Sequence, residues 1–234
     1  MVLQEVQLTL GYQLLVNPRM SKVYIYVVDR DFGFAPNPFH GFCSLATCKP
    51  GIRNTADVGD WVIGMGGSRL KATGHCVFAM RISEKVTYNE YWANPIYFDK
   101  KPVRNGSCRM MVGDNIYYLD PESQKWHQAD SHHSNADGSV NPKNLSTDTK
   151  SNKVLISRHF YYFGIKAPPV PADIITAIGF ENGIGHRVYK NGECIGLIDW
   201  LHNNFGGLVN RVQAHPYDFE SSDKRYSGNG SKII

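Results

Sequence analysis

The sequence predicts a single β-rich domain of the α+β class, and three observations carry that expectation. Its 234 residues suffice for one large domain with elaborations and a sizeable core. Tyrosine, phenylalanine and glycine number 13, 11 and 22, a balance that suits strands joined by turns better than a helical bundle. The apolar runs are short, β-branched or aromatic, and bounded by turn residues.

Taken in order, residues 1–19 read either as a doubtful leader ahead of an alternative start at Met20 or as an additional strand at "VQLTLGYQLLV". Val23 to Val28 is β-branched and aromatic throughout and predicts a buried strand. The run "DRDFGFAPNPFHGFCSLATCKPGIRN", ending at Asn54, shows no sustained period and reads as a long irregular loop. A Val-Gly-Asp turn then feeds Trp61, Val62 and Ile63 into a short strand that ends on glycines. Cys76 to Ile82 predicts a further strand, and Tyr88 to Trp92 a short helix halted by Asn94 and Pro95. Ile116 to Leu119 and Lys125 to Gln128 flank an Asp-Pro turn and predict a hairpin.

Ala129 to Asn152 is polar and has no period of its own; loops of that length inside compact domains are usually functional or disordered. Strand character returns in "VLISRHFYYFG". Pro171 suits the first turn of a helix in "PADIITAI". Ile195, Ile198, Leu201 and Phe205 follow helical spacing, with Gly206 and Gly207 as the stop. The domain is expected over residues 20–215, followed by a flexible polar tail over 216–234.

A net charge of +4 permits nucleic acid without indicating a polybasic binder. The five cysteines are an odd number without a CxxC pair, so neither a disulfide framework nor a ribbon-type zinc site is indicated. No metal is expected, and no cofactor is specified. No apolar run approaches the roughly 20 residues that cross a bilayer, and no secretory signal is visible, so a cytoplasmic protein without membrane partners is expected. The sequons at Asn105, Asn144 and Asn229 are then chance matches.

Three irregular stretches carry chemistry. In the first, Arg30, His40, Lys49 and Arg53 are interleaved with Phe32, Phe34, Phe39 and Phe42. Cations among aromatics hold phosphates while stacking a base; the competing reading places the phenylalanines in the core and uses the prolines to stiffen a surface loop. Cys43 and Cys48 read best as packing residues. A zinc site with His40 and His75 has an unusual spacing, and a nucleophilic cysteine needs Lys49 or Arg53 brought beside it. "GMGG" from Gly64 to Gly67 reads as a strand-ending turn rather than a phosphate loop.

In the second stretch, His132 and His133 stand with Asp130, Asp137 and Asp148, offering acid-base groups or solvated loop residues. Adjacent histidines in extended backbone point opposite ways, so one of them at most is expected to face a given site. Arg158 lies in the strand that follows. The third, "GFENGIGHRVY", offers Arg187 and backbone amides to an anion, or is a hairpin connection.

The order "FAPNPF", "LATCKPGIR", "GDWVIG", "SHHSNADG" and "VLISRHFYYFG" resembles the second class of nucleotide modification associated domains, across roughly Met20 to Gly207. A shorter likeness, in "GIRN", "VGDWV" and the strand after it, is to PUA-like barrels that bind modified bases. By position the first resemblance singles out Asn37, Phe39, Cys43, Thr47, Lys49, Arg53, Asp60 and Trp61, then His132, His133, Ser157, Phe160, Tyr162 and Gly164. Asp60 is most simply a turn residue and Trp61 a core residue.

These resemblances imply a mixed, partly closed PUA-like β-barrel with a few short helices and long loops, in phage or bacterial systems that make, read or process modified bases. The expected function is binding of a nucleotide, nucleic acid or modified base through Asn37, Phe39, Thr47, Lys49, Arg53, Arg158, Tyr162 and Arg187. The alternatives are an enzyme with His132 or His133 as general acid or base and Asp148 orienting it, or a structural partner in a phage or defence operon.

Overall fold

The computed structural model describes residues 21–227 and 232–234. The expectations for the leader, its additional strand, Met20 and the Asn229 sequon lie outside these residues. In chain order the strands are β1 (Lys22–Val28), β2 (Cys43–Leu45), β3 (Trp61–Gly66), β4 (Cys76–Arg81), β5 (Glu84–Val86), β6 (Tyr117–Leu119) and β7 (Trp126–Gln128). They continue as β8 (Val154–Ser157), β9 (His159–Tyr162), β10 (His186–Lys190), β11 (Arg211–Val212), β12 (Tyr226–Ser227) and β13 (Lys232–Ile233). The helices are α1 (Pro50–Thr55), α2 (Tyr88–Ala93), α3 (Cys108–Met111), α4 (Pro142–Asp148), α5 (Ala172–Ile178) and α6 (Ile195–Phe205).

A six-stranded mixed sheet in the order β10-β1-β3-β4-β9-β11 forms the centre. β1 is parallel to β3 and antiparallel to β10. Successive side chains of a strand point to opposite faces, and both faces of β1 are covered. Val23 and Ile25 pack with Leu197, Ile198 and Leu201 of α6. Tyr24, Tyr26 and Val28 pack on the other side with Leu45, Ile52 and Leu155. This two-sided burial is why β1 reads as a continuous apolar run instead of an alternating one.

A second sheet, β2-β8-β5, continues the first. β4 pairs with β9 and β5 with β8, so one antiparallel ribbon bends from sheet to sheet between Arg81 and Glu84 on one side and at Arg158 on the other. Ser157 Oγ stabilises the bend by donating to Arg81 O at 2.6 Å. "VLISRHFYYFG" is therefore two strands where one was expected. Among the described residues the strands do not close into a barrel: the main sheet ends on β10 and β11, which are not paired with each other, so the PUA-like barrel is not found. No helix among them is long and apolar enough to cross a membrane.

The other expectations meet the structure unevenly. β6 and β7 form the hairpin, and α2 is capped by Thr87 and Glu90 in a reciprocal capping box. The "GMGG" glycines lie within β3 and just after it, so the strand expected to end on glycines runs through two of them; a Cβ on Gly64 would sit 2.2 Å from the Phe78 ring, so that glycine serves packing. Two helices appear inside stretches expected to be loops. α1 has Pro50 at its first turn, and α4 has Pro142 there with the Asn141 side chain accepting from Asn144 N–H as N-cap. The segment expected to fray also packs: Phe219 is buried against Phe39, and Asp31 and Asp218 bond each other's backbones.

Arg53 on α1 ties these irregular parts together. It is fully buried, and its guanidinium donates to Cys48 O (2.8 Å), Asp148 O (2.6 Å), Ser151 O (2.9 Å) and Lys153 O (2.6 Å). Removing it strands buried carbonyls, each a desolvated acceptor. Arg53→Met is expected to lower the unfolding free energy by about 3 kcal/mol in urea titrations. Arg158→Met, at an exposed pair with Glu84, should cost under about 0.5 kcal/mol; equal losses would refute the clasp.

Candidate functional site

A cavity of about 550 Å³ opens between the end of β1, the loop after it, the Cys48-Lys49 turn, the His132-His133 turn, α4 and β12. That volume matches sites for nucleotide-sized ligands. Phe32 and Phe34 form part of the wall and press on the histidines, with ring centroids 4.5 Å apart for Phe32 and His132 and 4.7 Å for Phe34 and His133. Arg30, Lys49 and Lys143 bring positive charge to the lining, and Asp29 brings one carboxylate. Lys49 Nζ lies 4.3 Å above the Tyr26 ring, and burial lowers its pKa against the pull of Cys48 and Asp29.

At the inner end stands a chain of three side chains. His133 Nδ1 is 2.8 Å from Asp148 Oδ2, and His133 Nε2 is 3.8 Å from Cys48 Sγ. A carboxylate only accepts, so Nδ1 carries the proton of the first contact and Nε2 faces the thiol. Asp148 is held in turn by Tyr117 OH, donating to Oδ2 at 2.9 Å, and by Cys48 N–H, donating to Oδ1 at 2.7 Å. The same residue thus presents its thiol to the histidine and its amide to the carboxylate.

Local sequence explains this arrangement. Cys48 and Lys49 both adopt left-handed backbone, with φ of 55° and 41°, immediately before Pro50 starts α1. Non-glycine residues pay about 1–3 kcal/mol for such conformations and persist there only when neighbours over-determine them. Here Arg53 takes the Cys48 carbonyl and Asp148 its amide. Asn144 of α4 donates to His133 O (2.8 Å) and Tyr226 O (2.6 Å), joining the histidine turn to the strand that closes the cavity.

Both histidines line the cavity, against the expectation that adjacent ones diverge: residues 132 and 133 lie in a turn, and their rings are 5.9 Å apart. Their environments drive them in opposite directions. Burial and then the His133 charge push His132 down to about 3; its Nδ1–H donates to Lys224 O, leaving a neutral ring. Burial also opposes charge on His133, but the Asp148 carboxylate and Cys48 outweigh it and raise the ring to about 10. Asp148 is correspondingly held low, since the His133 and Arg53 charges overcome its burial. Neither histidine keeps the near-neutral value expected of a free ring.

Of the eight residues expected to bind the ligand, the structure brings only Lys49 to this cavity, although Arg30, Phe32, Phe34 and Cys48 of the same irregular stretch line it too. Asn37 is fully buried, donating to Val112 O and accepting from Lys100 Nζ. Phe39 and Thr47 are buried too, and Arg53 is committed to carbonyls. Tyr162 OH donates to Asp31 Oδ1 at 2.5 Å behind the wall. Arg158 pairs with Glu84 on the far ribbon, and Arg187 lies on the exposed edge strand β10. Sequence reasoning missed Tyr26, Tyr117, Lys143 and Tyr226, and placed Cys48 with the packing cysteines. Cys43 is indeed core, with Sγ 3.9 Å from Met80 Sδ.

Ligand atoms of Cys48, His133 and Asp148 lie within 4.8 Å of one another, near enough to share an ion. The carboxylate, however, already accepts from an imidazole, a phenol and an amide. That is the bonding of a relay, in which one group orients the next, rather than of a metal claw with lone pairs turned to a common point.

Residues 20–223 match the family model described as nucleotide modification associated domain 2. No curated protein and no solved structure matches the chain.

His133 sits above its ordinary 6.5, so its pairing stabilises the fold fully below about pH 6.5 and the contribution is lost as pH rises through about 10. Asp148→Asn should abolish that fall in unfolding free energy and bring the His133 titration, followed by side-chain NMR, down towards neutrality. A wild-type His133 titrating near 6.5 would contradict the pairing.

Proposed function

The chain belongs to the nucleotide modification associated domain 2 family, and we propose that its cavity binds the nucleotide or extruded base on which such modification acts. The observation that carries the reading is the lining: Phe32, Phe34 and Tyr26 beside Arg30, Lys49 and Lys143 in one space of about 550 Å³. A base offers a π face to aromatic walls, while its phosphate seeks cations held in fixed positions. An extruded base brings its own phosphate to the rim as it enters. Lys49 is suited to that role, since its ammonium is partly withdrawn from water and a phosphate gives back the solvation it has lost.

A second reading, an enzyme acting on the bound nucleotide, is favoured by one specific contact. Asp148 fixes the His133 ring at 2.8 Å and orients its other nitrogen, as acid-base chemistry requires. His132, neutral and bonded to Lys224 O, then serves as wall.

Calorimetric titration of deoxynucleoside monophosphates tests the binding reading. Lys49→Ala should weaken binding about tenfold, equivalent to about 1.4 kcal/mol, while Arg158→Ala, away from the cavity, should leave it unchanged. Affinity should also fall as salt rises; flat salt dependence, or equal effects of the two variants, would count against a phosphate at Lys49. His132→Ala and His133→Ala separate the two readings. A pure binding protein keeps its affinity in both, whereas an enzyme loses turnover in His133→Ala while still binding.

A further inference from the structure

The geometry points to Cys48 as the nucleophile of an acyl-transfer centre, with His133 as its acid and base and Asp148 as the positioning carboxylate, acting on a nucleotide whose base carries an amide or ester. The substrate's identity rests on the nucleotide reading above; the chemistry rests on the side chains alone.

Three observations converge on it. The thiol faces a base nitrogen at 3.8 Å, and that base is oriented by a buried carboxylate at 2.8 Å, the nucleophile, base and orienter of covalent catalysis. All three residues line one cavity. Finally, Cys48 is set apart from the other cysteines: Cys43, Cys76 and Cys194 are buried, and Cys108 is half-buried but away from the cavity lining. The left-handed turn at Cys48 and Lys49, clasped by Arg53 and Asp148, aims the thiol at the cavity instead of the core.

The chemistry balances with water as the only co-reactant. With the Cys48 proton already resident on His133 Nε2, completing the imidazolium that Asp148 holds, the Cys48 thiolate adds to the carbonyl carbon while the carbonyl π pair moves onto oxygen. Collapse restores the carbonyl and breaks the bond to nitrogen or oxygen, and the departing amine or alcohol takes the proton from His133 Nε2. A thioester remains on Sγ. Water adds to it, giving a proton to the now neutral His133 Nε2, and the thiolate leaves, restoring its pair with the His133 imidazolium. The sum is amide or ester plus water giving acid plus amine or alcohol. A nucleotide amine entering in place of water would run acylation of a base by the same steps.

The full chain, mixed with p-nitrophenyl acetate as reporter ester, provides the test through p-nitrophenolate release and peptide mass spectrometry. One acetyl group is expected on Cys48 before Cys108 is labelled. Cys48→Ala should abolish that label, and His133→Gln should slow it at least tenfold with the melting profile retained. If either variant fails to fold, the competition between Cys48 and Cys108 in the wild type still decides. Equal labelling of the two thiols, or an unchanged rate in His133→Gln, overturns the nucleophile. So does a zinc ion whose chelation is required before Cys48 reacts.

Deoxynucleoside monophosphates in the same assay separate the two readings. Slowed acetylation supports both. Acetylation of Cys48 with no protection keeps the nucleophile and removes the nucleotide as its substrate. Nucleotide binding without acetylation keeps the ligand and removes the nucleophile.

Discussion

The buried Arg53 guanidinium is the constraint on which the rest of the site depends. Taking a charge out of water costs several kcal/mol, and the cost is offset only if every donor is satisfied in good geometry. Here the acceptors are four backbone carbonyls, drawn from the Cys48 turn and from the Asp148 to Lys153 segment that links α4 to β8. Two parts of the chain separated by about a hundred positions are thereby fixed against each other. The cysteine and the carboxylate inherit that constraint, because each sits on a peptide unit that the guanidinium holds. The Tyr88 ring, 5.4 Å from the guanidinium carbon, closes the remaining side.

Within this frame the two histidines show how position outweighs residue type. Both rings are buried at the same wall, yet one is kept neutral and the other charged. The difference is the partner: a backbone carbonyl offers His132 a dipole, and Asp148 offers His133 a full negative charge at low local dielectric. Membership of a nucleotide modification family accords with a cavity whose walls are aromatic and whose charges are mainly positive.

Elements with a sustained period were legible in the sequence. β1, the β6-β7 hairpin, α2 and α6 follow their hydrophobic patterns or their caps, and each stands close to its expected place. α1 and α4 span 6 and 7 residues, too short to build a period, although a proline at the first turn announced each. Among the site residues, Lys49, His132, His133 and Asp148 were found by residue type. Arg53 was read as a phosphate ligand because a cation in a loop is normally solvated, and nothing local says that four carbonyls await it. Among the described residues the expected barrel is not found, and the bend at Arg158, which carries strands into a second sheet, is a tertiary event without a local signature. Cys48 was grouped with Cys43 because their partners, His133 and Met80, lie far along the chain in different directions.

That last separation also has a meaning in time. Cys48 and His133 stand 85 positions apart, and a ribosome adding about 5–20 residues per second completes the thiol several seconds before it makes the imidazole. Tyr226, whose amide bonds His132 O and whose ring borders the cavity, comes later still. During its own synthesis the chain therefore carries the thiol without its imidazole partner, and whatever reactivity the finished pocket confers begins only when that pocket is whole.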